Sequence, residues 1–332
     1  MGLNSRRLRT KGSLLGFVAV VCAIVLSSAR VTAAETPEAN PEAAESDCRY
    51  NPDRRSAGSG GAEAWTNIAF PDGDVFRPLL ADPKQPQFFA SYQALRVREG
   101  GGSANAASVG FGENFGLWSR RKEGGCDGVQ VGILAGVFSQ FNLDAPSSDL
   151  INTDFVVGVP VSWRSGLWAA RARLYHQSSH LGDEFLLGRP GFNRVNLSFE
   201  EVEAIVALDA PGGWGRIYAG GGYLVHREPA GLDRHRAQWG LELRGPVLHW
   251  GALEKALKDS LVITPVFGAD FKAFEELHWI VNANIVGGLE WFRAGANRRF
   301  RLLINYYHGF NPYGQFFAQK IETVGFGLYL AF

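Results

Sequence analysis

A histidine and a serine stand two residues apart in the stretch RARLYHQSSHLGDE, residues 171–184. Alternate residues from Trp168 form an apolar face that ends in His176 and Ser178. Residues i and i+2 of a strand point the same way, so His176 could reach Ser178. A serine hydroxyl becomes a nucleophile when a neighbouring imidazole takes its proton. The pair therefore predicts a nucleophile and its base on the apolar side of a strand.

A third polar group would fix the tautomer of the imidazole ring. Asn196 and Glu200 lie on the even-numbered face of the next predicted strand, and hairpin pairing could bring either one beside His176. The alternative is that His176 and Ser178 are interfacial polar residues at the end of an apolar band, where such groups cost little free energy.

The elements that would hold these residues are strands, because apolar and polar residues alternate along most of the chain. The segments LVITPVFGADFK (261–272), HWIVNANIVGGLEWF (278–292) and RRFRLLINYY (298–307) all show a period of two. In the last of them, Phe300 and Leu302 alternate with Arg299 and Arg301. A period of two indicates strands whose two faces meet different environments.

The length of these strands favours a membrane barrel over a soluble sandwich. Many run for ten residues or more, whereas soluble strands average about five or six. Apolar faces often end in aromatic residues, and the chain holds 41 Gly and 23 Phe but one Met, as suits a curved barrel with aromatic girdles. We predict an all-β fold, a transmembrane antiparallel up-and-down barrel of about 12 strands over residues 88–332, in the outer membrane of a Gram-negative bacterium.

The N-terminal part of the chain has three segments of different composition. Basic residues precede the apolar run Leu14 to Leu26, and small residues follow, which predicts a signal peptide over residues 1–34. The run is shorter than the roughly 20 residues of a spanning helix. Residues 35–64 are rich in Ala, Glu, Pro, Ser and Gly and predict a disordered leader. Residues 65–87 contain four prolines and predict an extended periplasmic segment.

Removal of the signal peptide would leave two cysteines, Cys48 and Cys126. An even pair in an oxidising compartment predicts one disulfide. The topology puts both cysteines on the periplasmic side, which agrees with that pairing, although two free thiols remain an alternative.

Charge and motifs limit the partners and cofactors. The chain has 33 basic and 33 acidic residues and no basic stripe, which argues against nucleic acid as a partner. The inward strand faces mix both signs, which favours an internal ion-pair network over a selective channel, with a narrow pore left open. We predict no cofactor and no metal. Asp183 and Glu184 could bind calcium loosely, or form a solvated loop.

The sequence also resembles a known group of proteins. FRPLLADPKQPQF (76–88), YHQSSHLGDEF (175–185) and RVNLSFE (194–200) are similar to a bacterial family of unknown function, over about Phe70 to Phe332. The resemblance implies an outer-membrane-type β-barrel and supplies no activity. The last strand ends at Phe332 and has Leu330, Leu328, Phe326 and Val324 on the same face. This terminal pattern resembles the sorting signal of bacterial outer-membrane proteins, which implies contact with the barrel-assembly machinery and outer-membrane lipids as surroundings.

A local resemblance concerns the His-x-Ser pair. It is similar to the pair in outer-membrane phospholipase A and in lipid A deacylase, which implies lipid ester hydrolysis with Ser178 as nucleophile, His176 as base, and Asn196 or Glu200 as third member. Phospholipase A continues with Asn-Gly, whereas this chain continues with Ser179 and His180. The alternative function is a non-enzymatic barrel, either a narrow channel or a structural or surface-binding protein.

Overall fold

The chain forms a closed antiparallel barrel in a computed structural model that describes residues 64–98, 101–123, 125–248, 261–293 and 298–331. A short strand, β1, precedes twelve barrel strands. The strands are β1 (Trp65–Ala69), β2 (Phe88–Val97), β3 (Ser103–Lys122), β4 (Gly128–Asn142), β5 (Leu150–Ser165), β6 (Trp168–Leu181), β7 (Ser198–Asp209), β8 (Gly215–Glu228), β9 (His235–Arg244), β10 (Leu261–Phe274), β11 (Asn282–Arg293), β12 (Arg299–Phe310) and β13 (Lys320–Ala331).

Each barrel strand pairs with its sequence neighbours, and β2 pairs with β13 to close the ring. We call the end that holds the start of β2 and the end of β13 the near end, and the opposite end the far end. The near end has the short connection of residues 166–167, and the far end has the 16-residue connection 182–197 between β6 and β7. The predicted antiparallel barrel of about 12 strands is therefore confirmed.

The two faces of the barrel differ as the alternation predicts. On β5, Phe155, Val157 and Val159 point outward with about half of their surface exposed, whereas Asp154 and Arg164 point inward and are buried. A continuous exposed apolar surface of this kind is unfavourable in water and is the normal exterior of a barrel in lipid. None of the helices among the described residues combines the length and the apolar character needed to cross a membrane.

Residues 71–87 lie inside the barrel, and we call them the plug. Phe76, Leu79 and Leu80 are buried against inward-facing strand residues. The sequence predicted an extended periplasmic segment over residues 65–87, whereas residues 71–87 pack inside the lumen. The reason is that the proline-rich segment exposes backbone groups that strands do not satisfy, and lumen side chains satisfy them. Arg216 donates to the Arg77 carbonyl, and Asn284 donates to the Ala81 carbonyl.

Ion pairs fix the plug at several depths of the lumen. Near the near end, Arg77 of the plug pairs with Asp209 of β7. Deeper in the barrel, Lys272 Nζ lies 2.6 Å from Asp82 Oδ1, and Lys84 Nζ lies 2.5 Å from an oxygen of Asp154. These contacts connect one short segment to strands on several sides of the barrel, so the plug and the barrel form one core.

The lumen also contains ion-pair clusters between strands. Glu290 of β11 is fully buried between Arg244, Arg299 and Arg301, with its closest oxygen–nitrogen distances at 2.6 and 2.7 Å. The predicted network of mixed charges on the inward face is confirmed by this arrangement.

Strand β1 continues the sheet at the near end. It pairs with Trp118–Lys122 of β3, on the edge that β2 leaves unpaired.

Cys126 lies in the connection between β3 and β4. It is buried and forms a disulfide bond. Its predicted partner Cys48 lies outside the described residues, as do the signal peptide and nearly all of the leader, so these stay predictions.

Candidate functional site

Strand β6 holds His176 and Ser178 on the outer face of the barrel. Their neighbours Gln177 and Ser179 point inward and are buried, with less than a tenth of their surface exposed. Both candidate residues are half-buried. The outward direction follows from the alternation that starts at Trp168, since a period of two fixes the face of each residue.

Strand β7 brings a carboxylate beside the histidine. His176 and Glu200 are direct partners in the antiparallel register, so their side chains lie on the same face at adjacent positions. The Nδ1 atom of His176 lies 2.8 Å from Oε1 of Glu200. About 40% of each side chain is exposed, so the pair lies at the barrel surface. The sequence prediction that Glu200 could meet His176 agrees with this contact.

A second histidine binds the other oxygen of the same carboxylate. The Nδ1 atom of His226, on β8, lies 2.8 Å from Oε2 of Glu200. Sequence analysis missed His226, because alternation along β8 places it on the inward face with Leu224. A β-bulge shifts the register opposite Glu200 and Glu201, so that Val225 and His226 both lie on the outer side.

Ser178 is next to this cluster and is not bonded to it in the described structure. Its register partners are Phe155 on β5 and Ser198 on β7. Glu200 accepts from Nδ1 of His176, so Nε2 is the ring nitrogen that remains for Ser178. Catalytic hydrogen bonds are often long in proteins without bound substrate, so the geometry is compatible with a Ser–His–Glu arrangement.

Asn196 does not take part in the cluster. Sequence analysis placed Asn196 on the same predicted strand as Glu200, but β7 begins at Ser198 and Asn196 lies in the exposed connection before it. The last register pair of β6 and β7 is Ser178 with Ser198, and beyond it the Ser179 N–H donates to the Leu197 carbonyl. Of the two predicted third members, the structure brings Glu200 to His176.

The surroundings of the cluster are apolar on the side towards the middle of the barrel. Leu174 and Val202 are about half exposed and are direct register partners one step nearer the centre. The ring of Phe155 contacts the ring of His180, with centroids 5.7 Å apart. The polar cluster therefore marks the far-end margin of the apolar band.

Asp183 and Glu184, for which the sequence left a loose calcium site or a solvated loop open, lie in a short helix. They form the first turn of this helix, α1 (Asp183–Leu187), and both are exposed. Within the described ranges, no three His, Cys, Asp or Glu residues are grouped so that they could hold a metal ion.

A neighbouring pair on the outer face provides a comparison within the chain. His235 of β9 has its Nδ1 atom 2.7 Å from Oε2 of Glu275, with side-chain exposures of 59% and 36%. Two residues after His235 the chain has Ala237, where the first site has Ser178. The two sites share the histidine and carboxylate, and only one has a possible nucleophile.

A sequence comparison identifies the family. A model of the family described as "Protein of unknown function (DUF1207)" matches residues 14–332. No curated protein matches the chain. The chain belongs to the DUF1207 family.

Solved structures with a similar fold include several bacterial barrels. Outer membrane phospholipase A from Escherichia coli is 13% identical, with a TM-score of 0.48, over 76% of this chain and 93% of that chain. LpxR from Salmonella typhimurium is 9% identical, with a TM-score of 0.37, over 74% of this chain and all of that chain. The translocator domain of NalP from Neisseria meningitidis is 13% identical, with a TM-score of 0.33, over 76% of this chain and 91% of that chain.

Proposed function

We propose that this DUF1207 protein is an outer-membrane serine hydrolase that cleaves ester bonds of lipids in the membrane around it. The observation that carries the proposal is the 2.8 Å contact between His176 and Glu200 on the lipid side of the barrel, with Ser178 two residues further along the same face. A nucleophile, a base and a carboxylate that orients the base are the parts that this chemistry needs.

Each residue has a role in the proposed reaction. Glu200 accepts the Nδ1 proton of His176, so Nε2 carries the lone pair that takes the proton of Ser178. The Ser178 oxygen attacks the carbonyl carbon of the ester. His176 then gives that proton to the alcohol part of the lipid, which leaves, and the acyl group stays bound to the Ser178 oxygen. Water, deprotonated by the same ring, then attacks the acyl group and releases the fatty acid.

The position of the cluster supports a lipid as the substrate class. An acyl chain can lie along the apolar outer face beside Phe155, Leu174 and Val202, all about half exposed. The ester group of a membrane lipid lies at the edge of the hydrocarbon layer, and the polar cluster lies at the edge of the apolar band. The substrate would therefore reach Ser178 without leaving the membrane.

The apolar exterior also supports the predicted location. We propose that the near end faces the periplasm and the far end faces outward. The last strand, β13, would be the segment that the barrel-assembly machinery binds. Phe332, the predicted last residue of that segment, lies outside the described residues.

One observation favours a non-enzymatic barrel as the second candidate function. Glu200 binds two histidines, and the hydroxyl of Ser178 makes no hydrogen bond to this group within the described structure. The cluster could then act as a structural clasp between β6, β7 and β8, or as part of a surface that binds an external partner. The plug occupies the lumen, which disfavours the narrow channel.

A substitution of the nucleophile tests the proposal. Purified wild type and Ser178→Ala are incubated with mixed micelles of detergent and phosphatidylethanolamine or lipopolysaccharide, and released fatty acid is measured. We expect Ser178→Ala to lose release from one of these substrates by a factor of about a thousand or more, with unchanged heat-modifiable migration on a gel. Equal release by the two proteins, or none from either substrate, would contradict the proposal and favour the clasp.

A further inference from the structure

We propose that His226 is a positioning residue that fixes Glu200 so that Glu200 can orient His176; this inference rests on the proposed hydrolase site. His226 binds Oε2 of Glu200 while His176 binds Oε1, both at 2.8 Å. Three neighbouring strands, β6, β7 and β8, thus each supply one member of a continuous chain of hydrogen bonds.

The bulge in β8 gives His226 this position. Regular pairing continues from Asp209 and Arg216 up to Glu201 and Leu224, and the next pair is Glu200 with His226. The extra residue, Val225, is 52% exposed and lies on the outer side with His226. If β8 were a regular strand without a bulge, alternation would direct the side chain at position 226 into the lumen, on the same face as Leu224. Bulges often occur beside active sites, where they redirect one side chain.

A carboxylate bound on both oxygens keeps one orientation. Glu200 is 38% exposed on its side chain and has several rotatable bonds, so a single hydrogen bond would leave it able to rotate away from His176. The bond from His226 to Oε2 opposes rotation of the carboxylate, because rotation would break one of two hydrogen bonds. A fixed Glu200 keeps the Nδ1 proton of His176 bound, which leaves Nε2 as the ring nitrogen that can act on Ser178.

The His235–Glu275 pair is a similar site that has no counterpart of the contact between His226 and Glu200 among the described residues. Glu275 binds His235 through Oε2, and both the ring nitrogen and the backbone N–H of His235 meet that one oxygen, at 2.7 and 3.1 Å. Glu275 therefore serves one histidine residue through one oxygen, whereas Glu200 connects two histidines through two oxygens. The bridging geometry is specific to the site that has a serine.

Two substitutions at position 226 separate hydrogen bonding from shape. His226→Leu removes the donor, whereas His226→Asn keeps an N–H near the position of Nδ1. We expect His226→Leu to lower kcat by about tenfold, as for a lost hydrogen bond to a charged group, with KM unchanged, and His226→Asn to restore most of the loss. His235→Leu is the matched control and should keep the wild-type kcat, since Glu275 has no connection to Ser178.

A second measurement keeps the inference testable independently of hydrolysis. The ¹⁵N NMR spectrum of histidine-labelled protein in detergent micelles reports the Nδ1 proton of His176. We expect slow exchange of this proton in wild type and His235→Leu, and faster exchange in His226→Leu. If the Nδ1 proton of His176 exchanges at the wild-type rate in His226→Leu, the role of His226 is overturned. A loss of kcat that His226→Asn does not restore would also overturn it.

Failure of the two proposals gives different results. If wild type releases no fatty acid but His226→Leu still accelerates exchange of the His176 proton, the hydrolase proposal fails and the positioning role stands. If wild type and Ser178→Ala differ in fatty-acid release but His226→Leu matches wild type in kcat and exchange, the positioning role fails and the hydrolase proposal stands.

Discussion

The lumen of this barrel and the far-end margin of its outer face, which we call the outer rim, both contain charged clusters. The two clusters differ in burial and in the partners of their carboxylates. In the lumen, Asp209 is buried among Arg77, Arg164 and Arg216. At the outer rim, Glu200 is partly exposed and binds two histidines, with Ser178 beside them. The lumen carboxylate meets permanent cations, whereas the rim carboxylate meets rings that can gain or lose a proton.

This difference separates a structural role from a chemical one. A carboxylate enclosed by guanidinium groups has no room for a substrate and cannot be exposed without a large cost in free energy. The rim cluster lies on the outer face of the barrel, is partly exposed and has the hydroxyl of Ser178 two residues from His176 on the same strand face. The many charges of the lumen therefore stabilise the plug and barrel, and the few at the rim could do chemistry.

The largest expected effect comes from removing the plug. Replacement of residues 75–86 by a glycine–serine linker would take Arg77, Asp82 and Lys84 out of the lumen and open a water-filled path. We expect ion conductance from the variant in planar lipid bilayers and none from wild type, since the plug residues are buried in the lumen. Heat-modifiable migration serves as the control for folding. Conductance of wild type equal to that of the variant would show that the plug does not close the barrel.

The second effect is on stability. Asp209→Ala would leave the three guanidinium groups around it without their shared carboxylate, and loss of one partner of a buried ion pair costs about 3–5 kcal/mol. Urea unfolding in detergent, followed by tryptophan fluorescence, should show a lower free energy of unfolding by that amount. Glu184→Ala, an exposed position on α1, is the control and should unfold like wild type. Equal stability of the two variants would mean that the lumen network is dispensable.

The third effect is on the rim. Glu200→Gln keeps a hydrogen-bond acceptor for His176 but removes the charge that stabilises the imidazolium formed during reaction. We expect kcat for fatty-acid release to fall by roughly a hundredfold or more, with unchanged heat-modifiable migration on a gel. Glu275→Gln is the matched control and should retain wild-type kcat. A similar loss in both variants would assign the effect to surface charge.

The smallest effect is a pH dependence at the neighbouring pair. The hydrogen bond from the His235 ring lowers the pKa of Glu275 below its ordinary value, in the connection after β10. The stabilisation is therefore present above the ordinary carboxyl pKa of about 4.3 and is lost as pH falls through the folded-state value. Wild type should unfold at a slightly higher temperature than Glu275→Gln at about pH 6, and the difference should shrink as the pH falls below about 4.3. A difference that is constant with pH would exclude this pair as its source.

The alternation in the sequence was enough to predict the barrel and the direction of His176. A period of two assigns faces without knowledge of partners, and the same rule placed Arg299 and Arg301 opposite the apolar face, where both are buried. The choice between Asn196 and Glu200 needed the register and the first residue of β7, and neither is set by alternation alone.

The plug and His226 could not be predicted, for two physical reasons. The plug has no periodicity, and its position depends on contacts distant in sequence, such as Asp82 with Lys272. His226 sits after a one-residue bulge, and alternation assigns the wrong face to every residue beyond an extra residue. Triple glycine at 220–222 could have suggested an irregular strand, since glycine weakens regular strands.

The most direct test of the central claim is covalent labelling of Ser178. A lipophilic fluorophosphonate reacts with serines that a histidine activates, so it reports the nucleophile without knowledge of the natural substrate. Outer-membrane fractions of the wild type, Glu200→Gln and Ser178→Ala are treated with the probe and analysed by peptide mass spectrometry. The account predicts an adduct on Ser178 in wild type, a much slower one in Glu200→Gln, and none in Ser178→Ala. An unlabelled wild-type Ser178, in membranes where an added serine hydrolase is labelled fully, would contradict it.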